Sequence, residues 1–322
     1  MARGGGKRYG RGMRSLPLVA ETGTKSAPVA APARPPWLRV KAPGAGKTTE
    51  LRQLLDERRL HTVCSSAACP NMGDCWKAGT ATFMILGNEC TRACRFCDVK
   101  TSKTPRAVDL DEPARLAEAA VLMGLGHVVI TSVARDDLDD GGARHFERCL
   151  AAVRASVPRA TLEVLVPDFG GREESLRVVV DEGRPEIFNH NLETVRRLTR
   201  TVRSAAEYDL SLDVLRRAKA MRLSMRTKSG LMLGLGETDD EVKEAIVDLR
   251  AHDVDILTLG QYLRPSSWHL EVVRYVPPET FDALAAFARG LGFAHVEAGP
   301  LVRSSYHAER GVGPESLHEA TT

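Results

Sequence analysis

The sequence has no apolar run approaching the roughly 18 residues that a membrane span requires. Its best stretch, residues 121–130, is broken by Gly124, Gly126 and His127. No secretory leader is recognisable and the cysteine count is odd, at seven, so a disulfide framework is not expected. The first 36 residues lack acid: seven Lys or Arg stand against Glu21 alone, a surplus of +6 in a chain whose total is +3. They also lack the large apolar side chains needed to offset the entropy of ordering. Five glycines among the first twelve residues disfavour the amphipathic helix of an organellar transit peptide. A disordered basic tail over 1–36 is expected. A phosphate-binding loop is missing too, although GAGKTT at 44–49 has its general look. Lys41 stands where the first glycine of GxxxxGK[ST] belongs, and no strand precedes it, so the segment reads as a turn before a helix over 49–60.

What the chain does have is concentrated cysteine. Six of the seven fall within 34 residues as two triplets, Cys64, Cys69 and Cys75 (CxxxxCxxxxxC), then Cys90, Cys94 and Cys97 (CxxxCxxC). Neither has the paired ligands of a structural zinc site. A cubane iron–sulfur cluster normally takes four thiolates, so a loop offering three leaves one iron open to a further ligand. Cys149 lies apart, in the apolar-periodic stretch 146–157, and reads as a buried core thiol.

The 322-residue chain as a whole, 43% hydrophobic and 27% charged, can bury a substantial core in one large domain or two modest ones. Strand-length apolar runs at 82–87, 127–133, 161–167, 186–189, 229–235 and 256–262 alternate with helical patterns at 112–123, 143–157, 173–182, 212–221 and 239–251. That alternation predicts parallel βαβ units. The expected fold class is α/β, an incomplete (β/α)6 TIM-type barrel with N-terminal and C-terminal extensions. Expected boundaries are a tail over 1–36, an N-terminal segment over 37–80, the partial barrel over 81–290 and a C-terminal segment over 291–322. The second triplet starts just after the first strand, in the loop 88–98, where barrels of this kind build their active sites. Polar residues recur at the ends of later strands: Thr131, Ser132, Arg135, Asp136 and Asp137, then Asn189, His190, Asn191 and Glu193, then Lys228, then Gln261, Tyr262 and Arg264.

The string CTRACRFC at 90–97 resembles the radical S-adenosylmethionine (SAM) enzymes. In that superfamily three cysteines bind a [4Fe–4S] cluster, SAM chelates the fourth iron, and one electron cleaves SAM to give a radical that removes hydrogen from an unactivated carbon. The cofactor carries such chemistry while the protein positions it. The resemblance narrows through CSSAACPNMGDCW (64–76), RDDLDDGG (135–142), FNHNLET (188–194), GLMLGLGE (230–237), GQYLRP (260–265) and RSSYHA (303–308). Together these are similar to the lipoyl synthase family, from about Trp37 to about Ala308.

The resemblance implies two [4Fe–4S] clusters and SAM. Cys90, Cys94 and Cys97 would carry the SAM-cleaving cluster. Cys64, Cys69 and Cys75 would hold an auxiliary cluster in the extensions, with a serine of the RSSY motif as fourth ligand, mapped to Ser305 with Ser304 as its neighbour. From chemistry alone serine is a poor iron ligand beside thiolates, so only the resemblance selects it. The implied reaction inserts two sulfur atoms, drawn from the auxiliary cluster, at C6 and C8 of an octanoyl chain held on a lysine of a lipoyl carrier domain. Phe96, Asn189, Glu193, Lys228, Gly234 and Gly236 are the implied cofactor contacts, and Arg303 would steer the RSSY segment or bind the peptide. Implied partners are octanoylated carrier domains, as in 2-oxoacid dehydrogenase E2 subunits and the glycine cleavage H protein. An electron donor such as ferredoxin or flavodoxin and an iron–sulfur cluster carrier complete the set, with no nucleic acid and no membrane. A cytoplasmic location follows, or an organellar one if the tail is a transit peptide. Between Cys64 and Cys69 this chain has Ser65, Ser66, Ala67 and Ala68 where relatives usually carry acids. Alternatives are a radical SAM enzyme modifying another substrate, and a two-cluster electron carrier, which would want more cysteines than are present.

Overall fold

The computed structural model describes residues 33–39, 47–63, 69 and 71–311. Cys64, the substituted positions 65–68, residues 44–46 of the GAGKTT segment and all but the last four residues of the expected tail lie outside the described residues.

One sheet organises the described chain. β1 (His61–Thr62) pairs antiparallel with β2 (Thr80–Ile85), and two short strands, β3 (Glu89–Cys90) and β4 (Lys100–Thr101), form a separate parallel ladder. Beyond β2 the sheet continues through β5 (His127–Ser132), β6 (Thr161–Leu165), β7 (Ile187–Asn189), β8 (Arg226–Leu233), β9 (Ile256–Gln261) and β10 (His295–Gly299). Their order in the sheet is β1-β2-β5-β6-β7-β8-β9-β10, and every pair from β2 onward is parallel. Among the described residues no hydrogen bonds join the two edge strands, so this is a barrel left open, as the sequence pattern implied.

Strands buried on both faces read as near-continuous apolar runs, and β2, β5 and β9 are almost wholly buried. Helices cover the outer face. The helix Ala143–Ser156 shows why: Phe146, Cys149, Leu150 and Val153 recur at helical spacing and are each 0% exposed. Burying each of the larger side chains contributes about 1.5–3 kcal/mol. Cys149 is thus a core thiol of this stripe, as expected. The helix Asp239–Ala251 begins with a capping box in which Thr238 and Glu241 bind each other's backbone N–H.

The structure departs from the sequence reading in several places. Strand β8 starts at Arg226 rather than 229, because the polar residues Thr227 and Lys228 are buried within it. The helix read as 212–221 begins at Tyr208, and the one read as 173–182 passes from α to π geometry at Val178. The helix Pro278–Gly290 and strand β10 were absent from the expected pattern. HVEAG is short and half polar, so it carries no strand periodicity. It gives the sheet a seventh parallel strand drawn from the C-terminal segment.

After β10 the chain turns back across the open side. Val302 O sits so close over β9 that a Cβ at Gly260 would run into it. Asn71 Nδ2 donates to Leu301 O (2.7 Å), Thr80 Oγ1 to Glu309 Oε2 (3.1 Å) and an Arg226 Nη to Gly311 O (2.7 Å). Residues 301–311 are thereby tied to β2, to β8 and to the segment carrying the first cysteines.

Candidate functional site

The exit from β2 is fixed before the second cysteine triplet begins. Leu86, at φ 65°, donates its N–H to Glu112 Oε2 (2.8 Å). The same oxygen lies 2.7 Å from His145 Nε2. A Cβ at Gly142, whose φ is 93°, would collide with Leu86 Cδ1. From this anchored point Cys90 Sγ accepts N–H bonds from Arg92 (3.4 Å) and Ala134 (3.3 Å). Thr91 N–H donates to Ala134 O (3.0 Å), and Asp136 N–H to Thr91 Oγ1 (3.1 Å).

Arg92 then clamps the loop. Its Nε and Nη2 meet both oxygens of Asp136 (2.8 and 2.7 Å), and its Nη1 and Nη2 meet both oxygens of Asp168 (2.7 Å each). One planar guanidinium serves two bidentate carboxylates, a geometry that lysine cannot copy. Burial alone would raise the Asp168 carboxyl, but the Arg92 pair outweighs it and holds it down at about 2. Burial likewise opposes the Arg92 charge, and the two aspartates overcome it. The clamp ties the cysteine loop to the carboxyl ends of β5 and β6.

Cys94 and Cys97 follow in half-buried positions. Burial raises the Cys94 thiol and pushes Cys97 up to about 11, and Cys97 also feels Cys94, Cys90 and Glu193. Thiols so placed are protonated until metal displaces the protons. Among the described residues no three such groups are placed to share a single ion. At and just past the ends of β5 and β7 lie buried polar atoms without a hydrogen-bond partner among the described residues: Ser132 Oγ, Asn189 Oδ1, His190 Nε2, Asn191 Oδ1 and Thr194 Oγ1. Native interiors rarely leave such atoms unpaired. Three thiols on one anchored loop, with orphaned polar atoms at the same ends of the strands, fit a cubane with a polar ligand on its open iron.

The residues implied as cofactor contacts have unequal surroundings. Phe96 packs beside Val202, Leu235, Tyr262 and Val272. Glu193, at φ 67°, is locked by Gly230 O and by the Met232 N–H. Burial raises its carboxyl, with Arg203 opposing. Asn189 and Lys228 meet in the barrel interior: Lys228 Nζ is 2.8 Å from Glu163 Oε1, and Asn189 Nδ2 donates to the same oxygen (3.2 Å). The Lys228 ammonium is thus engaged by a protein carboxylate. Glycine at 234 is required by the fold itself, since φ is 104° and a Cβ would collide with Gln261 Nε2 and Arg274 O. Gly236, at φ 106°, faces Val273 more loosely.

A second cluster of donors lines a small cavity. Cys69, Cys75 and Ser305 line it together with Asn71, Thr80, Thr82, Arg303 and Tyr306, whereas Ser304 does not. Cys75 rides on the helix Met72–Lys77. Burial raises the Cys69 thiol, and the Asn71 N–H and the Arg303 guanidinium pull it back. Burial also makes the charge of Arg303 harder to hold, and Cys69 opposes that effect. Two thiols and a hydroxyl thus share one polar cavity although 230 positions separate Cys75 from Ser305. A cluster with three cysteine ligands would draw its remaining thiolate from Cys64.

Sequence reasoning passed over Arg92, Asp168, Glu163 and Arg203. For the first two a signal existed, a cation between two cysteines and an acid just past a strand end. Glu163 sits mid-strand in TLEVL, where nothing local distinguishes it. Arg203 binds Leu192 O (3.1 Å) and Ser211 Oγ (3.2 Å) from a segment without any motif.

Known proteins are similar to this chain at two levels. Residues 84–249 match the radical SAM superfamily. A protein of Nitrosococcus oceani named lipoyl synthase is 52% identical over 312 residues, 97% of this chain and 96% of its own. One of Bacillus mycoides with the same name is 55% identical over 280 residues, 87% of this chain and 93% of its own. Among solved structures, HydG, a maturase of the [FeFe]-hydrogenase, is 13% identical with a TM-score of 0.53, over 83% of this chain and 71% of that one. Streptococcus suis SuiB bound to S-adenosylmethionine is 10% identical with a TM-score of 0.54, over 71% of this chain and 53% of that one. These two share the fold. With identities above one half along nearly the whole length, and with both cysteine loops in place, the chain belongs to the lipoyl synthase family within the radical SAM superfamily.

Proposed function

We propose that the chain inserts two sulfur atoms at C6 and C8 of an octanoyl group attached to a lysine of a lipoyl carrier domain. When bound, SAM and the two [4Fe–4S] clusters supply the hydrogen-abstracting radical and the sulfur. Cys90, Cys94 and Cys97 would hold the cluster that meets SAM, within a loop set by the Arg92 clamp. Phe96 lies within that loop and Glu193 close to its cysteines, while Asn189 and Lys228 meet at Glu163 in the barrel interior. Cys64, Cys69, Cys75 and Ser305 would hold the auxiliary cluster. Arg303 places a buried positive charge beside Cys69, which suits a site whose thiols must ionise to bind iron.

The observation that carries this reading is the convergence of Ser305 with Cys69 and Cys75 on one cavity. An oxygen ligand among thiolates is the weakest-held member of the set, which is apt for a cluster that surrenders its sulfide. A carrier domain as in E2 subunits or the H protein, a donor such as ferredoxin or flavodoxin, and an iron–sulfur carrier that restores the cluster follow from the needs of the reaction.

The test is incubation of the anaerobically reconstituted protein with an octanoylated carrier domain, SAM and dithionite. The carrier is expected to gain two sulfurs by mass as the dithiol, and to lose two hydrogens only when that dithiol is afterwards oxidised to the ring. An unchanged carrier mass with both clusters intact would reject the assignment.

A further inference from the structure

Residues 263–275, between β9 and the helix Pro278–Gly290, form a loop that is stiff in its body and exposed at its tip. Arg264 staples it from within, donating Nε to His269 O (2.9 Å) and Nη2 to Ser267 O (2.5 Å). Ser266 Oγ lies 2.9 Å from His269 Nδ1, and Tyr262 OH donates to Leu270 O (2.9 Å). Two further bonds pin it to the second cysteine loop: His269 Nε2 donates to Cys97 O (3.1 Å) and Leu270 N–H to Arg95 O (3.1 Å). Val272 is buried, and Leu270 packs with it beside Phe96. Yet Trp268, at the tip, is 91% exposed, the most exposed of the large apolar side chains among the described residues.

An indole held almost wholly in water contributes nothing to folding through burial. Because its loop is already stapled, it also loses little conformational freedom when something covers it. Exposed, preorganised tryptophans are the residues most enriched as binding hot spots. Its position matters as well, since the loops at the carboxyl ends of the strands surround the mouth through which a substrate enters. The cysteine excursion to which the loop is pinned carries more cations than acids. Arg95, bonded to this loop through its backbone, and Lys103 and Arg106 further along the same excursion are exposed and form no salt bridge with a described residue. Two exposed acids accompany them, Asp98 3.7 Å from His269 and Glu271 3.5 Å from Arg264.

We propose that Trp268 anchors a docking site for the folded domain that presents the acyl-lysine, and that this domain offers an acidic face to the cations of the cysteine excursion. The assignment rests on the sulfur-insertion reading above and adds to it the surface that recognises the carrier rather than the acyl chain.

The experiment compares holoenzyme and its Trp268→Ala variant on two substrates, an octanoylated lipoyl carrier domain and an octanoyl-lysyl tripeptide, at low and high ionic strength. Trp268→Ala is expected to raise KM for the carrier domain about tenfold, with kcat and the tripeptide KM within about twofold of wild type. Added salt is expected to raise the wild-type KM for the carrier alone. Carrier KM unchanged in the variant, or an equal rise for both substrates, overturns the docking site. Tryptophan emission gives a readout independent of turnover, because Trp76 is buried and Trp37 is the only other tryptophan. Titration with the carrier domain is expected to shift wild-type emission and to leave the variant nearly unmoved. An enzyme that thiolates neither substrate yet shows this shift would overturn the reaction and keep the docking site.

Discussion

Cys94 and Cys69 sit in separate surroundings, and their substitutions are expected to separate two activities. Cys94→Ala should abolish SAM cleavage, whereas Cys69→Ala should keep cleavage and yield no thiolated carrier. Chromatography of the SAM fragments and mass spectrometry of the carrier read the two outcomes, and equal loss of both would argue against divided labour. Gly142 provides a stability test at the same scale. With φ at 93° and Leu86 Cδ1 where a Cβ would go, Gly142→Ala should destabilise the chain by more than about 1 kcal/mol, measured by urea unfolding. Single residues were legible in the sequence where a short motif encodes them, as with the cysteines. Ser305 was reachable only through resemblance, because no local pattern marks a serine that meets cysteines 230 positions away. Glu163 was hidden for a related reason: it is a charge that its cross-barrel partner Lys228 makes tolerable in the interior.

Among the elements, the cysteine loop between β3 and β4 depends most on distant support. Its Arg92 joins the ends of two strands through four short hydrogen bonds. Arg92→Lys keeps the charge and loses the fork, so a positioning role predicts a loss of SAM cleavage of about 10- to 100-fold. The SAM-induced change in the electron paramagnetic resonance of the reduced cluster should weaken in parallel, while iron at the auxiliary site stays. Normal spectra in that variant would make the clamp a surface ornament. Most elements were legible because period-2 and period-3.6 patterns are strong where one face is buried. The exceptions have separate causes. The start of β8 buries Thr227 and Lys228, whose partners lie in other elements, while β10 is a short run whose half-buried His295 and Glu297 face each other within the strand, so hydropathy alone concealed both.

For the whole molecule, acid is the informative perturbation. His190 is buried and donates from Nδ1 to Val166 O (2.8 Å), and burial, aided by Arg203, lowers its pKa from 6.5 to about 4. Asp168 is held at about 2 against an ordinary 3.8. Both are depressed in the fold, so the unfolded chain binds the extra protons and stability falls as pH falls. His190 acts between 6.5 and about 4, and Asp168 between 3.8 and about 2. The first window is worth on the order of 3 kcal/mol, and His190→Gln should flatten it in urea midpoints of the metal-free protein taken against pH. The open barrel itself was legible from the alternation of strands and helices, since parallel strands need crossovers of that length. Its C-terminal crossing was not, because the bonds that tie 301–311 to β2 and β8 are single contacts far apart in sequence. That crossing brings Ser305 to Cys69 and Cys75, and on it rests the central claim that one cysteine site drives the reaction and the other gives up its sulfur. The most direct measurement is the isotopic composition of the product from enzyme reconstituted with heavy sulfide, in a buffer holding only natural sulfur. Both inserted atoms are predicted to be heavy, and a product of natural isotopic abundance would contradict the account.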